Sequence, residues 1–212
     1  MSNWTVTALG REHMLSGPEA THPDNTPSLP EIGHSLAQIN RYTGHAIRPY
    51  SVAEHSLLVL TFAREDFAPT VVQFAALMHD AHECIVGDVA SPIKAELGPV
   101  WAAFEWTHQR HLLEQYGLLE VYTRHKHQIK RWDLMALATE RAQLTRFDPE
   151  VNRPWPILDT PGHEVAPVAN VDLLDSWRLR NTWTTWASIF EMQAESLNRS
   201  FLAKAALQEL AA

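Results

Sequence analysis

The spacing of apolar positions along the chain predicts helices in most segments. Within residues 31–42, apolar side chains recur every three or four positions, as they do on one face of a helix. Ser51 followed by Glu54 has the pattern of a capping box, and it predicts a helix that runs to about residue 64. Further helices are predicted over residues 71–82, 100–116 and 121–146, with one long or two shorter helices from residue 171 to the C-terminus.

Two segments lack this periodicity. Residues 1–30 carry several glycines and prolines and are predicted to form an irregular lead-in. Residues 153–167 include four prolines and are predicted to form a loop or lid. The chain is therefore predicted to be an all-α helical bundle in a single domain over residues 31–212, with a core at about 31–147 and a C-terminal extension at 148–212.

Composition narrows the possible partners. With 212 residues and 45% apolar content, the chain can bury one sizeable core. The net charge of −8, without a long basic run, argues against a nucleic-acid polymer as partner but leaves small anions open. The single cysteine, Cys84, excludes an internal disulfide framework and a cysteine-based zinc cluster. The sequence shows neither an apolar run of membrane-spanning length nor a signal-peptide pattern, so we expect a cytoplasmic protein with no membrane partner.

Residues 75–88 carry the strongest chemical signal. His79 and Asp80 stand at the end of an apolar run, Glu83 follows one helical turn later, and Asp88 comes just after a glycine. Imidazole and carboxylate together suit a divalent metal ion. A further carboxylate near the metal is what metal-assisted hydrolysis uses to handle the proton of water. The segment therefore predicts half of a metal hydrolase site.

Two residues elsewhere supply the other half. His55 lies four residues after the predicted N-cap Ser51, and Asp133 shares an apolar stripe with Ala136, Leu137, Glu140 and Leu144. A carboxylate on an inward stripe needs a compensating charge, which a metal provides. His55, His79, Asp80 and Asp133 are thus predicted to bind one divalent ion, which could be Mn, Co, Fe, Ni or Zn.

The ordered set His55, His79-Asp80 and Asp133 resembles the HD-domain metal-dependent phosphohydrolase superfamily, whose ligands follow the order H…HD…D on successive helices. The offsets of Glu83 and Asp88, and the segments 39–45 and 50–56, are similar to the bacterial and phage 5′-deoxynucleotidase-like branch. That branch includes phage enzymes that act on deoxyadenosine nucleotides, among them dATP triphosphohydrolase-like enzymes. The resemblance covers about residues 32–146 and implies an HD-domain bundle.

The resemblance also implies roles for individual residues. Glu83 would orient and deprotonate the attacking water, and Asp88 would assist proton transfer or bind a sugar hydroxyl. Several members of the branch have tryptophan where this chain has Tyr42, so base and sugar preference are not carried over. The expected substrate contacts are Arg41, Tyr42, His45 and Lys94.

The implied function is hydrolysis of phosphate ester or anhydride bonds in small nucleotides, with deoxynucleotides preferred. A 5′-deoxynucleotidase and a triphosphohydrolase both fit. A triphosphate needs more cationic contacts, for which the candidates are Arg48, Lys94, Lys126, Lys130 and Arg131. The alternatives are a catalytically silent nucleotide-binding or sensor module and a cyclic-nucleotide phosphodiesterase.

Other interpretations compete at single positions. Asp133 could pair with Lys130 or Arg141 instead of a metal. His108 and His111 could bind a second metal, but their charged neighbours predict a solvated face, so one metal is expected. The other histidines outside the motif are predicted to be surface or capping groups: His13, His22, His34, His82, His125, His127 and His163. A homodimer is a possible use of the apolar residues Trp177, Trp183, Trp186, Ile189, Phe190 and Met192.

Overall fold

The computed structural model describes residues 3–210, and helices dominate this part of the chain. The predicted all-α class is confirmed, since the regular structure of these residues consists of nine α-helices, three short 3-10 helices and one two-stranded sheet. The elements in chain order are β1 (Trp4–Val6), β2 (Glu12–Met14), α1 (Leu29–Gln38), α2 (Val52–Glu65), α3 (Thr70–Leu77), α4 (Glu83–Val86), α5 (Ser91–Gln115), α6 (Leu119–Leu144), α7 (Pro156–Asp159), α8 (Ser176–Arg180) and α9 (Trp183–Leu210).

The lead-in is more ordered than its composition predicted. Strands β1 and β2 pair antiparallel, with Thr5 opposite His13, and Gly10 in their connection has a φ of +76°. The prediction of an irregular segment over residues 1–30 was therefore wrong for the hairpin, because strands of three residues are too short to produce a visible alternation. The first two residues of that segment, like the last two of the predicted C-terminal helix, lie outside the described residues.

Helix α1 begins with the reciprocal capping box that had been expected at α2. The hydroxyl of Ser28 accepts the backbone N–H of Glu31, and the Glu31 carboxylate accepts the backbone N–H of Ser28. At α2, Ser51 caps the backbone N–H of Glu54 as predicted, but the Glu54 carboxylate binds Arg48 instead of closing the box. Helix α1 consequently starts before the predicted position, whereas α2 starts where the sequence indicated.

The helix predicted over residues 71–82 is interrupted at the functional motif. Helix α3 ends at Leu77, and His79 and Asp80 lie in the tight turns that follow. The backbone N–H of Glu83 donates to the carbonyl of Asp80, which closes the turn into the short helix α4. His79, Asp80 and Glu83 therefore do not share one helix face, and the turns between α3 and α4 place them instead.

Two departures from the predicted boundaries concern loops. Helix α5 begins nine residues before the predicted position 100 and contains a break at Gly98, whose φ is +67°. The predicted loop at residues 153–167 contains the one-turn helix α7. Two C-terminal helices follow, α8 and α9, which agrees with one of the two predicted alternatives.

Helix α9 packs along α1 and contributes buried side chains to the hydrophobic core. The backbones approach closely at Gly33, where an added Cβ would lie 3.1 Å from the carbonyl oxygen of Ala187. Trp186 and Phe190 are buried in this core, whereas Trp177 remains half exposed. Core packing thus accounts for part of the apolar load, and the homodimer stays a prediction. Across residues 3–210, no helix has both the length and the apolar character needed to cross a membrane.

A buried tryptophan fixes the orientation of α6. Trp132 is fully buried, and its indole N–H donates to the carboxylate of Asp66, 2.6 Å away at the end of α2. Because successive residues on a helix are about 100° apart, this anchor also sets the direction of Asp133. Asp133 consequently faces His55 on α2.

Candidate metal centre

His55, His79 and Asp80 place donor atoms within 4.8 Å of one another, and the carboxylate of Asp133 faces both imidazoles. His55 comes from α2, His79 and Asp80 come from the turns after α3, and Asp133 comes from α6. His55 Nε2 lies 3.5 Å from Asp80 Oδ2 and 3.3 Å from Asp133 Oδ1. His79 Nε2 lies 3.1 Å and 3.9 Å from the same two oxygens. Donor atoms that are about 2.0–2.2 Å from a common ion have separations of this size.

The hydrogen bonds of the two imidazoles suit metal binding. His55 Nδ1 lies 2.6 Å from Glu140 Oε1, and His79 Nδ1 lies 2.8 Å from the carbonyl oxygen of Ala76. Acceptors at Nδ1 leave Nε2 as the ligand atom in the neutral ring. Both Nε2 atoms are buried, and neither has a hydrogen-bond partner among residues 3–210. The donor set therefore fits a divalent ion.

The local electrostatics keep both carboxylates ionised. Burial opposes the charge of Asp80, but His79, His55 and Arg41 hold the pKa of Asp80 well below its usual range. Burial likewise opposes the charge of Asp133, while His55 and Lys130 lower the pKa of that carboxyl. Both groups are acceptor-only at neutral pH, which is the form that binds a cation.

The pKa of His55 is also set by burial and by neighbouring charges that oppose each other. Burial and the charge of Arg41 lower the pKa of His55, but Glu140 and Asp133 outweigh them and raise it to about 9. The buried ring is thus surrounded by more negative than positive charge. A divalent cation would relieve that excess.

The structure contains the salt bridge that competed with the metal interpretation of Asp133. Lys130 Nζ lies 2.7 Å from Asp133 Oδ2, one turn away on α6. The other oxygen of Asp133 faces the two imidazoles. The pairing with Lys130 therefore leaves one oxygen of the carboxylate for a metal.

Glu83 and Asp88 stand beside the four donors. Glu83 is almost fully buried, and burial together with Asp80 and Asp88 raises its pKa well above the usual value. Burial and Asp80 also raise the pKa of Asp88, against the opposing charge of Arg41. A carboxylate with a raised pKa is a stronger proton acceptor once ionised, as general-base catalysis requires.

Lys94 is held by carboxylates on the same side. Its ammonium lies 2.5 Å from Glu105 Oε1 and 3.9 Å from Glu83 Oε1. His82, Glu83 and Glu105 form a second group whose donor atoms lie within 4.8 Å of one another. Since the ammonium of Lys94 already contacts two of these three residues, this second group is compensated without a metal.

Some of the predicted substrate contacts lie next to the four donors and one does not. Arg41 is largely buried and extends one terminal nitrogen to 3.8 Å from Asp80. Tyr42 lies next to it, and its hydroxyl donates to Glu140 at 2.7 Å. The side chain of His45 is exposed and joins neither group of metal-capable donors in the described residues. The structure thus brings Arg41 and Tyr42 to the site, but not His45.

Glu140 is the site residue for which the sequence predicted no role. It is fully buried on α6, two turns after Asp133. Besides His55, it accepts hydrogen bonds from the hydroxyls of Tyr42 and Tyr50 at 2.7 and 3.0 Å. Arg41 Nε donates to it at 3.2 Å. Its position on the same apolar stripe as Asp133 could have indicated a role in the site. Two carboxylates on one inward stripe both require a nearby positive charge or hydrogen-bond donors.

Two histidines thought to be solvated are buried. His108, His111 and Leu112 share one face of α5 and point inward, whereas Arg110 and Glu114 point to solvent from the other side. The prediction was wrong because it judged the histidines by their sequence neighbours instead of their helix face. Neither joins a group of donor atoms that could bind a metal in the described residues. His13 and His82, which were also predicted to be surface or capping groups, are buried too.

This burial makes stability depend on pH. Burial and the nearby His108, His111 and Arg11 lower the pKa of His13 from 6.5 to about 4. Burial also lowers the pKa of His108 and of His111, although Glu114 opposes the shift at His111. The native state thus excludes protons that the unfolded chain takes up below pH 6.5, so acid favours unfolding.

We therefore expect the free energy of unfolding to fall as pH drops from 6.5 towards 4.5, by up to about 1.4 kcal/mol per pH unit for each excluded proton. Urea unfolding at several pH values measures this slope. His13→Gln keeps an acceptor for Asn25 and cannot titrate, so the slope should decrease. His127→Gln, at an exposed position, should leave it unchanged. Equal slopes in all three proteins would contradict this explanation.

The fold and site define an all-helical protein with a candidate metal centre, and sequence comparison places it among relatives. No family model matches the chain. It is 36% identical over 129 residues to the uncharacterized protein YfdR of Escherichia coli (strain K12), an alignment that covers 61% of this chain and 66% of that protein, just under two thirds of its length. It is 35% identical over 164 residues to the uncharacterized protein RCAP_rcc00048 of Rhodobacter capsulatus, over 69% of this chain and 82% of that protein. The chain belongs to the same family as the Rhodobacter protein.

Proposed function

We propose that this protein is a metal-dependent phosphohydrolase of the HD-domain type that acts on small nucleotides, with deoxynucleotides as the preferred class. One observation carries the proposal. The Nε2 atoms of His55 and His79 are buried without hydrogen-bond partners among the described residues, and both face the carboxylates of Asp80 and Asp133. Buried polar atoms normally make hydrogen bonds, so imidazole nitrogens that lie 3.1–3.9 Å from carboxylates without hydrogen-bond geometry are best explained by a ligand between them.

The residues around the four donors support hydrolysis of a phosphate. A divalent ion bound there would activate water and offset negative charge. Arg41 uses Nε for Glu140 and has its terminal nitrogens left to contact phosphate oxygens, since one of them lies near Asp80. Glu83 lies on the same side and can take the proton of the attacking water.

The distribution of cations supports a monophosphate substrate over a triphosphate. Four of the five side chains proposed for extra phosphate contacts are paired with carboxylates: Arg48 with Glu54, Lys94 with Glu105, Lys130 with Asp133 and Arg131 with Asp66. A triphosphate would need several of these pairs to break. A 5′-nucleotide monophosphatase needs little beyond Arg41.

A substrate panel tests the proposal. The protein is supplied with Mn²⁺ or Co²⁺ and offered deoxynucleoside and nucleoside monophosphates, deoxynucleoside triphosphates and cyclic nucleotides. Phosphate, pyrophosphate and triphosphate are measured separately. We expect phosphate release from 5′-deoxynucleoside monophosphates. Triphosphate release from a deoxynucleoside triphosphate would contradict the monophosphatase proposal, and no product from any substrate would contradict the enzyme proposal as a whole.

A further inference from the structure

Glu140 is hydrogen-bonded both to the predicted metal ligand His55 and to the expected phosphate contact Arg41. We propose that Glu140 is a positioning residue that orients the metal ligand His55 and the phosphate contact Arg41 at the same time, so that metal binding and phosphate binding depend on one buried carboxylate. The role of Arg41 rests on the proposed function. The position of Glu140 rests on hydrogen bonds alone.

The two oxygens of Glu140 serve different partners. Oε1 accepts from His55 Nδ1 at 2.6 Å and from the hydroxyl of Tyr50 at 3.0 Å. Oε2 accepts from Arg41 Nε at 3.2 Å and from the hydroxyl of Tyr42 at 2.7 Å. One oxygen therefore sets the ring of the metal ligand, and the other sets the guanidinium group.

Each bond restricts the group that does the binding. With Nδ1 of His55 directed at Glu140, the opposite atom Nε2 faces Asp80 and Asp133. With Nε of Arg41 directed at Glu140, the terminal nitrogens extend towards Asp80. A second hydrogen-bond partner of this kind fixes the orientation and tautomer of a metal-binding histidine.

The backbone next to Arg41 shows that this orientation has a cost. Tyr42 and Thr43 have φ values of 59° and 53°, in the left-handed region that residues with a side chain rarely adopt. Such strain persists when surrounding contacts impose it, and it is concentrated at functional sites. The bond from the Tyr42 hydroxyl to Glu140 is one such contact.

A purely structural role would predict a different result on substitution. Glu140 sits between an arginine and a histidine, so its removal would be expected to destabilise the bundle whatever the site does. The positioning role adds that both ligand affinities fall in protein that is still folded. Affinities measured on folded protein separate the two roles.

The test uses Co²⁺ and inorganic phosphate as probes, with calorimetry on the full chain. Co²⁺ is titrated into metal-free protein, and phosphate is then titrated into the Co²⁺-loaded protein. In Glu140→Gln we expect both affinities to fall by about 10- to 100-fold, the range seen when the hydrogen-bond partner of a metal ligand is lost. Glu31→Gln is the matched control, because Glu31 is also a buried carboxylate paired with an arginine but lies on α1 beside Arg11.

Melting curves establish that each variant is folded. If Glu140→Gln is unfolded, Glu140→Asp carries the same expectation, since it keeps the charge but is too short to reach both partners. A folded variant whose two affinities stay within about twofold of wild type would overturn the proposal, as would loss of only one of the two. A wild-type protein that binds no Co²⁺ would overturn the proposed metal centre and this inference with it, whereas Co²⁺ binding without hydrolysis of any nucleotide would overturn only the proposed activity.

Discussion

Asp133→Asn is expected to remove both the bound divalent ion and the hydrolytic activity. The substitution keeps the size of the side chain but takes a negative charge from a cluster in which Asp133 Oδ1 lies 3.3 Å from His55. Two buried imidazoles and a single carboxylate would then compensate the ion poorly. The loss should exceed the roughly 10- to 100-fold effect of removing a residue that only supports a ligand. Metal analysis and phosphate release measure the two effects.

A matched variant separates this effect from a general loss of charge. Asp159→Asn removes a carboxylate on α7 that is not one of the four proposed metal donors. Asp159 pairs with Arg141 near the C-terminal end of α6. This variant should keep the metal and the turnover. Stoichiometric metal together with wild-type turnover in Asp133→Asn would show that Asp133 is not a ligand.

Glu83→Gln is expected to separate catalysis from binding. Glutamine keeps the size and much of the hydrogen bonding of Glu83 but cannot accept a proton. Metal and substrate affinity should survive, while turnover falls by about 10² to 10⁴, the usual range for a lost general base. Steady-state kinetics with metal analysis of the same samples measures both.

Arg41→Lys gives the contrasting result. Lysine keeps the charge but loses the planar guanidinium group, which contacts Glu140 and is proposed to contact the phosphate, so KM should rise and kcat should fall. If Glu83→Gln instead released the metal and kept most of the turnover, Glu83 would be a ligand, and the water would need another base.

The residues of the candidate metal centre could be identified in the sequence because each carries its own chemical signal. His79 and Asp80 are adjacent in the chain, and the capped start of α2 places His55 four residues after Ser51. Asp133 was visible as a charge on an apolar stripe. These signals are local in sequence, so they do not depend on how the helices pack.

Other features of the fold and of the candidate site could be seen only in the tertiary structure. The composition of residues 71–82 is that of a continuous helix, and the break after Leu77 is visible only in the backbone hydrogen bonds around Asp80. The inward face of His108 depends on what α5 packs against. Glu140 and Arg41 are 99 positions apart, and no local pattern connects them.

The most direct test of the proposed metal-dependent hydrolysis is a titration of activity against metal. Metal-free protein receives increasing equivalents of Co²⁺, and phosphate release from a deoxynucleoside monophosphate is measured at each step. A single centre formed by His55, His79, Asp80 and Asp133 predicts no turnover without metal and a rise that ends at one equivalent. Full turnover in the presence of a chelator, or a rise that ends only beyond two equivalents, would contradict it.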